Sequence, residues 1–235
     1  MIELFKFGSV GPVCDPSPFC AKVEAYLKMA NLPYETHSGT EHMQNAPKGK
    51  LPYIKEDDKL IADSSFIFKY LKEKHGDILD GHLSDEQKAT THAYMKMIDE
   101  NLYWTIVHSR WQLDHNWIIL KDWFFSTLPF PLKLFVPGMV RKSALKGLKS
   151  HGMGRHSDAE IAEIGDWDLR ALSDLLADKE YFFGDHPSSL DATAYGILAQ
   201  MYLLKDFTAP IYDKARKYKN LMDYTNRIHD KYFAA

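Results

Sequence analysis

The stretch "CDPSPFCAKVEAYLKMANLPYE", Cys14 to Glu35, closes a possible strand and opens a clear helix. At the join stands Ser17-Pro18-Phe19-Cys20. From there Phe19, Val23, Tyr26, Leu27 and Ala30 recur at helical spacing. Asn31-Leu32-Pro33 ends the run, because the residue before a proline avoids the α region. A redox protein would place Cys-x-x-Cys at such a strand-to-helix turn, but here the first position is Ser. Three readings are open: a redox site without its nucleophile, a site for another molecule's thiol, or a plain helix start.

Working outward, Ile2–Phe7 reads as a strand before the turn, and "PYETHS" as a second strand after the helix. Leu51–Lys55 and Lys59–Ala62 flank Asp57-Asp58, the pattern of a hairpin. "SSFIFKYLKEKHG" then gives a helix with Gly76 at its C′ position. A short helix is expected around residues 42–46. The order is β-α-β-β-β-α, which predicts a mixed sheet with helices packed on it.

After Gly81 the pattern is helical throughout. Ser84-Asp85-Glu86-Gln87 and Ser157-Asp158-Ala159-Glu160 both read as capping boxes. Ser188-Ser189-Leu190-Asp191 does the same with a carboxylate, so Ser188 and Asp191 are assigned structural capping roles. The fold class is therefore α/β plus all-α, with domains at 1–77 and 84–235.

Hydrophobic residues make up 45% of the chain and charged ones 26%, enough for a core and against global disorder. A net charge of −3 argues against a nucleic-acid partner. The basic residues are scattered apart from a cluster near Arg141 to Lys149. Cys14 and Cys20, the two cysteines, lie too close in sequence to staple a fold. "MIELFKFGSV" shows no signal-peptide pattern, so a cytoplasmic setting is expected. Residues 117–140, "WIILKDWFFSTLPFPLKLFVPGMV", are strongly apolar, but charges interrupt them. Pro129, Pro131 and Pro137 are expected to break any continuous helix, which argues against a membrane span. Burial or a ligand pocket is the favoured reading of this segment; contact with a membrane surface is the open alternative.

Each candidate residue has a plain and a functional reading. Pro52 is a rigid strand entry, or the second half of a cis bond that turns the Leu51 backbone toward a ligand. Asp63 and Ser64 cap a helix, or they form a receptor for an amino-acid head group, with free amides for an anion and a carboxylate for an ammonium. Ser17 caps a helix, or it places a hydroxyl where the helix N-terminus lowers the pKa of a bound thiol. Cys20 is a small buried hydrophobe, or a redox thiol. His37, His42, His151 and His156 match no strong metal-ligand spacing, so no metal is expected. Trp104 and Trp111 lie two helical turns apart and share a face. With Tyr103 they are core, or the wall of an apolar substrate pocket.

As a set these residues resemble the cytosolic glutathione transferases, over nearly the whole chain. Ser17-Pro18-Phe19-Cys20 stands where glutaredoxin relatives keep Cys-Pro-x-Cys. Gly49-Lys50-Leu51-Pro52-Tyr53-Ile54 is similar to the family's cis-proline segment, and Asp63-Ser64-Ser65-Phe66-Ile67 to its glutathione-clamping motif. Phe183–Asp191 is similar to its helical-domain capping signature. The segments at 152–157, 182–185 and 191–196 look like the failed-axon-connections and metaxin-like branch.

The resemblance implies a thioredoxin-like N-terminal domain followed by an all-helical one. It implies glutathione as co-substrate, its thiolate passing to a small apolar electrophile, and a homodimer. Ser17 would donate a hydrogen bond to the sulfur, and the Leu51 backbone would pair with the cysteinyl backbone. Asp63 and Ser64 would take the γ-glutamyl end, and Lys50 the glycyl carboxylate. The branch equally implies a non-catalytic protein that binds a partner or a membrane surface. A thiol oxidoreductase using Cys20 or Cys14 is the third reading.

Overall fold

A computed structural model describes residues 1–126 and 128–234. Its first half is β1 (Ile2–Lys6), α1 (Pro18–Met29), β2 (Tyr34–Ser38), a 3-10 turn (Thr40–Asn45), β3 (Tyr53–Glu56), β4 (Lys59–Ala62) and α2 (Ser64–His75). This is the β-α-β-β-β-α order expected from the sequence. The strands lie in the order β2-β1-β3-β4. β1 runs parallel to β2, with Ile2 opposite Tyr34, and antiparallel to β3, with Leu4 opposite Ile54. The Asp57-Asp58 turn closes the hairpin with both residues at positive φ, 47° and 63°, as a tight two-residue hairpin loop requires.

α1 starts at an extended Ser17 with Pro18 at its first position. Proline is suited to that place because its missing N–H would have had no helical acceptor. The helix stops at Asn31, whose φ is 51°. There the Leu32 amide reaches back to the Leu27 carbonyl at 2.9 Å, a left-handed stop that asparagine tolerates. Gly76 ends α2 at a φ of 89°.

The second half is helical: α3 (Asp85–Met97), α4 (Tyr103–Val107), α5 (Asp114–Phe125), α6 (Leu132–His151), α7 (Asp158–Leu176), α8 (Ser189–Tyr202), α9 (Pro210–Ala215) and α10 (Lys219–Tyr232). π-helical turns at Ile98–Leu102 and His108–Gln112 flank α4. The capping boxes at Ser84–Gln87 and Ser157–Glu160 are both formed. Pro129 and Pro131 fall between α5 and α6, as expected, but Pro137 does not break the chain's helix. It sits inside α6 and removes one N–H, the donor to the Lys133 carbonyl. Lys133 is exposed, so water can satisfy that carbonyl. No helix among the described residues is long and apolar enough to cross a membrane.

One hydrophobic cluster spans both halves, from Ile2, Leu4 and Ile54 in the sheet through Tyr26 to Leu190, Tyr195 and Tyr224. At its centre α1 lies on α8. A side chain at Gly196 would place its Cβ 2.6 Å from the Pro18 carbonyl oxygen and 2.8 Å from the Lys22 Cβ. Only glycine allows the two helices so close. Almost every residue of α8 is buried, which is why its sequence, "SLDATAYGILAQMY", carries no charge beyond Asp191 at its start.

Candidate functional site

The loop from β1 to α1 is built around Asp15, whose carboxylate is fully buried. One oxygen accepts the amides of Phe7 at 2.9 Å and Gly8 at 3.0 Å, and the other accepts the Ser17 amide at 2.8 Å. Burial pushes this carboxyl up to about 7, against the pull of the three amides. The helical half holds the same loop. Buried Arg110, in the π turn after α4, donates to the Pro16 carbonyl at 2.8 Å and to the Gln200 side-chain oxygen at 3.0 Å. Gln200, on α8, donates to the Asp15 carbonyl at 2.9 Å. Three consecutive residues ending at Ser17 are thus fixed through backbone atoms.

Ser17 itself is half-buried, and its side chain does not cap the helix it precedes. Its hydroxyl therefore stands at the amide end of α1 without a capping bond. Cys20, one turn on, is fully buried, and burial pushes its thiol well above the ordinary range, as it does that of Cys14. Cys20 packs in a small cluster with Leu51, Tyr53, Ala46 and Ala62, bordered by Phe5 and Phe7. That cluster brings the start of α1, the Leu51-Pro52 segment and the end of β4 together. The Leu51-Pro52 bond is cis, as its likeness to the family's cis-proline segment predicts.

Beyond β4, Asp63 sits at a φ of 81° and accepts the Ser65 amide at 3.0 Å, while Ser64 is buried as the first residue of α2. The Asp63 carboxylate is exposed, and its charge is felt at Lys22. Lys50 is exposed in the loop before Leu51. Its neighbour Lys48 lies over the Phe66 ring, 4.2 Å from the centroid, and ties that loop to α2.

The three aromatic candidates have different ring partners. Tyr103 meets Phe19 edge-on at 4.7 Å and so touches the start of α1. Trp104 stacks on His151 at 4.5 Å, and Trp111 packs against Trp117 at 5.4 Å. Both border a cluster of Val107, Leu148, Met153 and Ile161, which Tyr103 borders as well. Another ring reaches the loop from β1 to α1: Phe124 of α5 meets Phe7 edge-on at 5.0 Å. Beside the same loop, Val10, Pro12, Trp123, Leu203 and Leu204 line a cavity of about 400 Å³.

Ser188 and Asp191 do cap α8. The Asp191 carboxylate accepts the Ser188 amide at 2.8 Å and its hydroxyl at 2.6 Å on one oxygen. The other oxygen takes the Phe182 amide at 3.1 Å and the Tyr224 hydroxyl at 3.0 Å. These hydrogen bonds join Ser188, Asp191, Phe182 and Tyr224, and none is to Ser17. The next residue, Ser189, gives its amide and hydroxyl to buried Asp80, which also pairs with Lys72 of α2. No cluster of three or more metal-ligating side chains occurs among the described residues.

Comparison with known proteins places this geometry. A family model for the glutathione S-transferase N-terminal domain matches residues 18–117, and one for the C-terminal domain matches residues 165–228. The isoprene-epoxide–glutathione S-transferase of Rhodococcus sp. (strain AD45) is 34% identical, with 99% of each chain covered. The chain belongs to the glutathione S-transferase family. Failed axon connections of Drosophila melanogaster is 35% identical over 99% of this chain, which spans 58% of that protein's length. Metaxin-2 of Homo sapiens is 28% identical over 90% of this chain and 80% of its own. Both branch names read from the sequence thus occur among the relatives. The glutathione S-transferase of Ceriporiopsis subvermispora, solved with glutathione, shares the fold at a TM-score of 0.64 and 18% identity, covering 100% of this chain and 98% of its own.

Within this transferase fold the sequence reading missed Asp15, Arg110 and Gln200. Asp15 alone carried a local signal. An Asp two residues before an amide it can accept is the pattern of an Asx turn.

Proposed function

We propose that the chain binds glutathione at the start of α1 and passes its thiolate to a small apolar electrophile. The observation that carries this is the Ser17 hydroxyl, held without a capping bond at the N-terminus of α1 by the Asp15, Arg110 and Gln200 network. A sulfur there meets a hydroxyl donor and the positive end of a helix, and both favour the thiolate over the thiol. The Leu51 backbone pairs with the cysteinyl backbone, and Asp63 with Ser64 takes the γ-glutamyl end. Lys50 neutralises the glycyl carboxylate.

The relative from Rhodococcus supports an epoxide as the electrophile class. The thiolate attacks a ring carbon, the C–S bond forms as the C–O bond breaks, and the alkoxide takes a proton from water. Tyr103, against Phe19, is the aromatic wall of the substrate side, with Trp104 and Trp111 behind it. The poorly acidic thiols of half-buried Cys14 and buried Cys20 argue against disulfide exchange. The likeness to Failed axon connections and the metaxins favours a second reading, a glutathione-fold protein without turnover.

Retention on immobilised glutathione, followed by ultraviolet titration of the bound thiol and an epoxide conjugation assay, separates these readings. Binding, a thiol pKa below that of free glutathione and product formation support the transferase. Binding or folding without any product supports the second reading.

A further inference from the structure

Among the described residues, 129–140 carry the densest run of exposed large apolar side chains. Phe130 is 82% exposed, Phe135 64% and Met139 69%, with Leu132 and Leu134 also exposed. An α-helix turns about 100° per residue, so Leu132, Leu134 and Phe135 point in widely different directions around the first turn of α6. The tip is apolar on several sides at once. A flat protein surface would cover only one of those sides; a fluid apolar medium covers them all.

The charge pattern names that medium. Between Trp123 and Ser157 there are six Lys and Arg residues and no Asp or Glu, in a chain whose net charge is −3. On α6, Phe135, Met139, Lys142, Lys146 and Lys149 succeed one another at steps of four, three, four and three. They fall on one stripe, opposite buried Pro137 and Leu148. The stripe is apolar over its first turns and cationic over its last. Lys142, Lys146 and Lys149 are exposed. Their long apolar stems let the ammonium groups sit at headgroup level while the aromatic end enters the acyl region.

We propose that the tip and outward stripe of α6 dock on an anionic lipid bilayer surface, with Phe130, Leu134, Phe135 and Met139 inserted and Lys142, Lys146 and Lys149 against the headgroups. This surface is separate from the Ser17 region, and docking does not require glutathione.

The test is co-flotation of the full chain with vesicles of phosphatidylcholine alone or of phosphatidylcholine with phosphatidylserine. The chain floats with the anionic vesicles, less so as salt is raised, and weakly with the neutral ones. Each lysine near an anionic surface contributes roughly fivefold to partitioning. Lys142→Ala/Lys146→Ala/Lys149→Ala therefore lowers it roughly a hundredfold on anionic vesicles and little on neutral ones. Phe130→Ser/Phe135→Ser lowers it on both. These side chains are exposed, so circular dichroism of either variant matches the parent. Absence of flotation with anionic vesicles overturns the proposal. So does flotation that neither variant weakens, which would place the contact elsewhere. Self-association abolished by Phe130→Ser/Phe135→Ser, without flotation, would make the face a contact between two copies of this chain.

Discussion

Replacing Asp15 with Asn keeps the shape of the side chain and removes its titration. Burial lifts the native carboxyl from 3.8 to about 7. The folded protein therefore holds this proton more tightly than the unfolded chain between those values. By linkage, stability falls as pH rises wherever the native state binds more protons. The contribution is fully present below pH 3.8 and is lost as pH passes through about 7. At ~1.4 kcal/mol per pK unit, the loss between about pH 4.5 and about pH 7 is ~3 kcal/mol. Asp15→Asn has no such dependence. Urea unfolding of both proteins across this range, read by tryptophan fluorescence, gives the difference directly. Other groups titrate alike in the two proteins and cancel. The wild type should lose ~3 kcal/mol relative to Asp15→Asn as pH rises. A gap that stays flat, or moves in favour of the wild type, would mean that the amides of Phe7, Gly8 and Ser17 outweigh burial and hold the carboxylate ionised.

Three further outcomes can be checked. Ser17→Ala should raise the pKa of bound glutathione and slow conjugation at neutral pH while leaving affinity largely intact; an unchanged ultraviolet titration removes Ser17 from the chemistry. The Lys22–Asp99 pair, 2.7 Å apart and almost fully buried, joins α1 to the π turn after α3. Lys22→Met or Asp99→Leu alone should cost about 3–5 kcal/mol, whereas the double variant should lie near the wild type; a double variant as weak as the sum of the singles refutes a charge-pairing role. Asp191→Ala leaves buried donors without their acceptor, and at about 1–3 kcal/mol for each stranded group the melting temperature should drop sharply. Any folded fraction of that variant should turn over normally, and loss of turnover in fully folded protein would contradict the capping role.

Most of the first half could be read from local pattern. The Asp57-Asp58 turn and the Gly76 stop, like the capping boxes of the second half, rest on contacts within a few residues, so their chemistry is written in adjacent letters. Pro137 misled because a proline inside an apolar run looks like a breaker, while near an exposed helix end only one backbone bond is forgone. The aromatic stretch was legible in part: Trp104 and Trp111 border one cluster, as their spacing implies, across a π turn at His108–Gln112 that the spacing did not announce. Arg110 and Gln200 carried no local signal, since their partners Pro16 and Asp15 lie far away in sequence.

The closeness of α1 and α8 at Gly196 has an evolutionary side. Two of the backbone groups that shape the Ser17 turn, the Pro16 and Asp15 carbonyls, are gripped by side chains from the opposite half, and Lys22 finds its counter-ion there too. A chimera that joins this sheet half to the helices of a cousin would meet α1 with foreign residues at positions 99, 110, 196 and 200. It would inherit a bare ammonium and a slack turn, or a Cβ wedged against Pro18. Recombination within this lineage therefore succeeds only when those four positions travel together with residues 15–22, so the two halves are expected to diversify as one inherited unit.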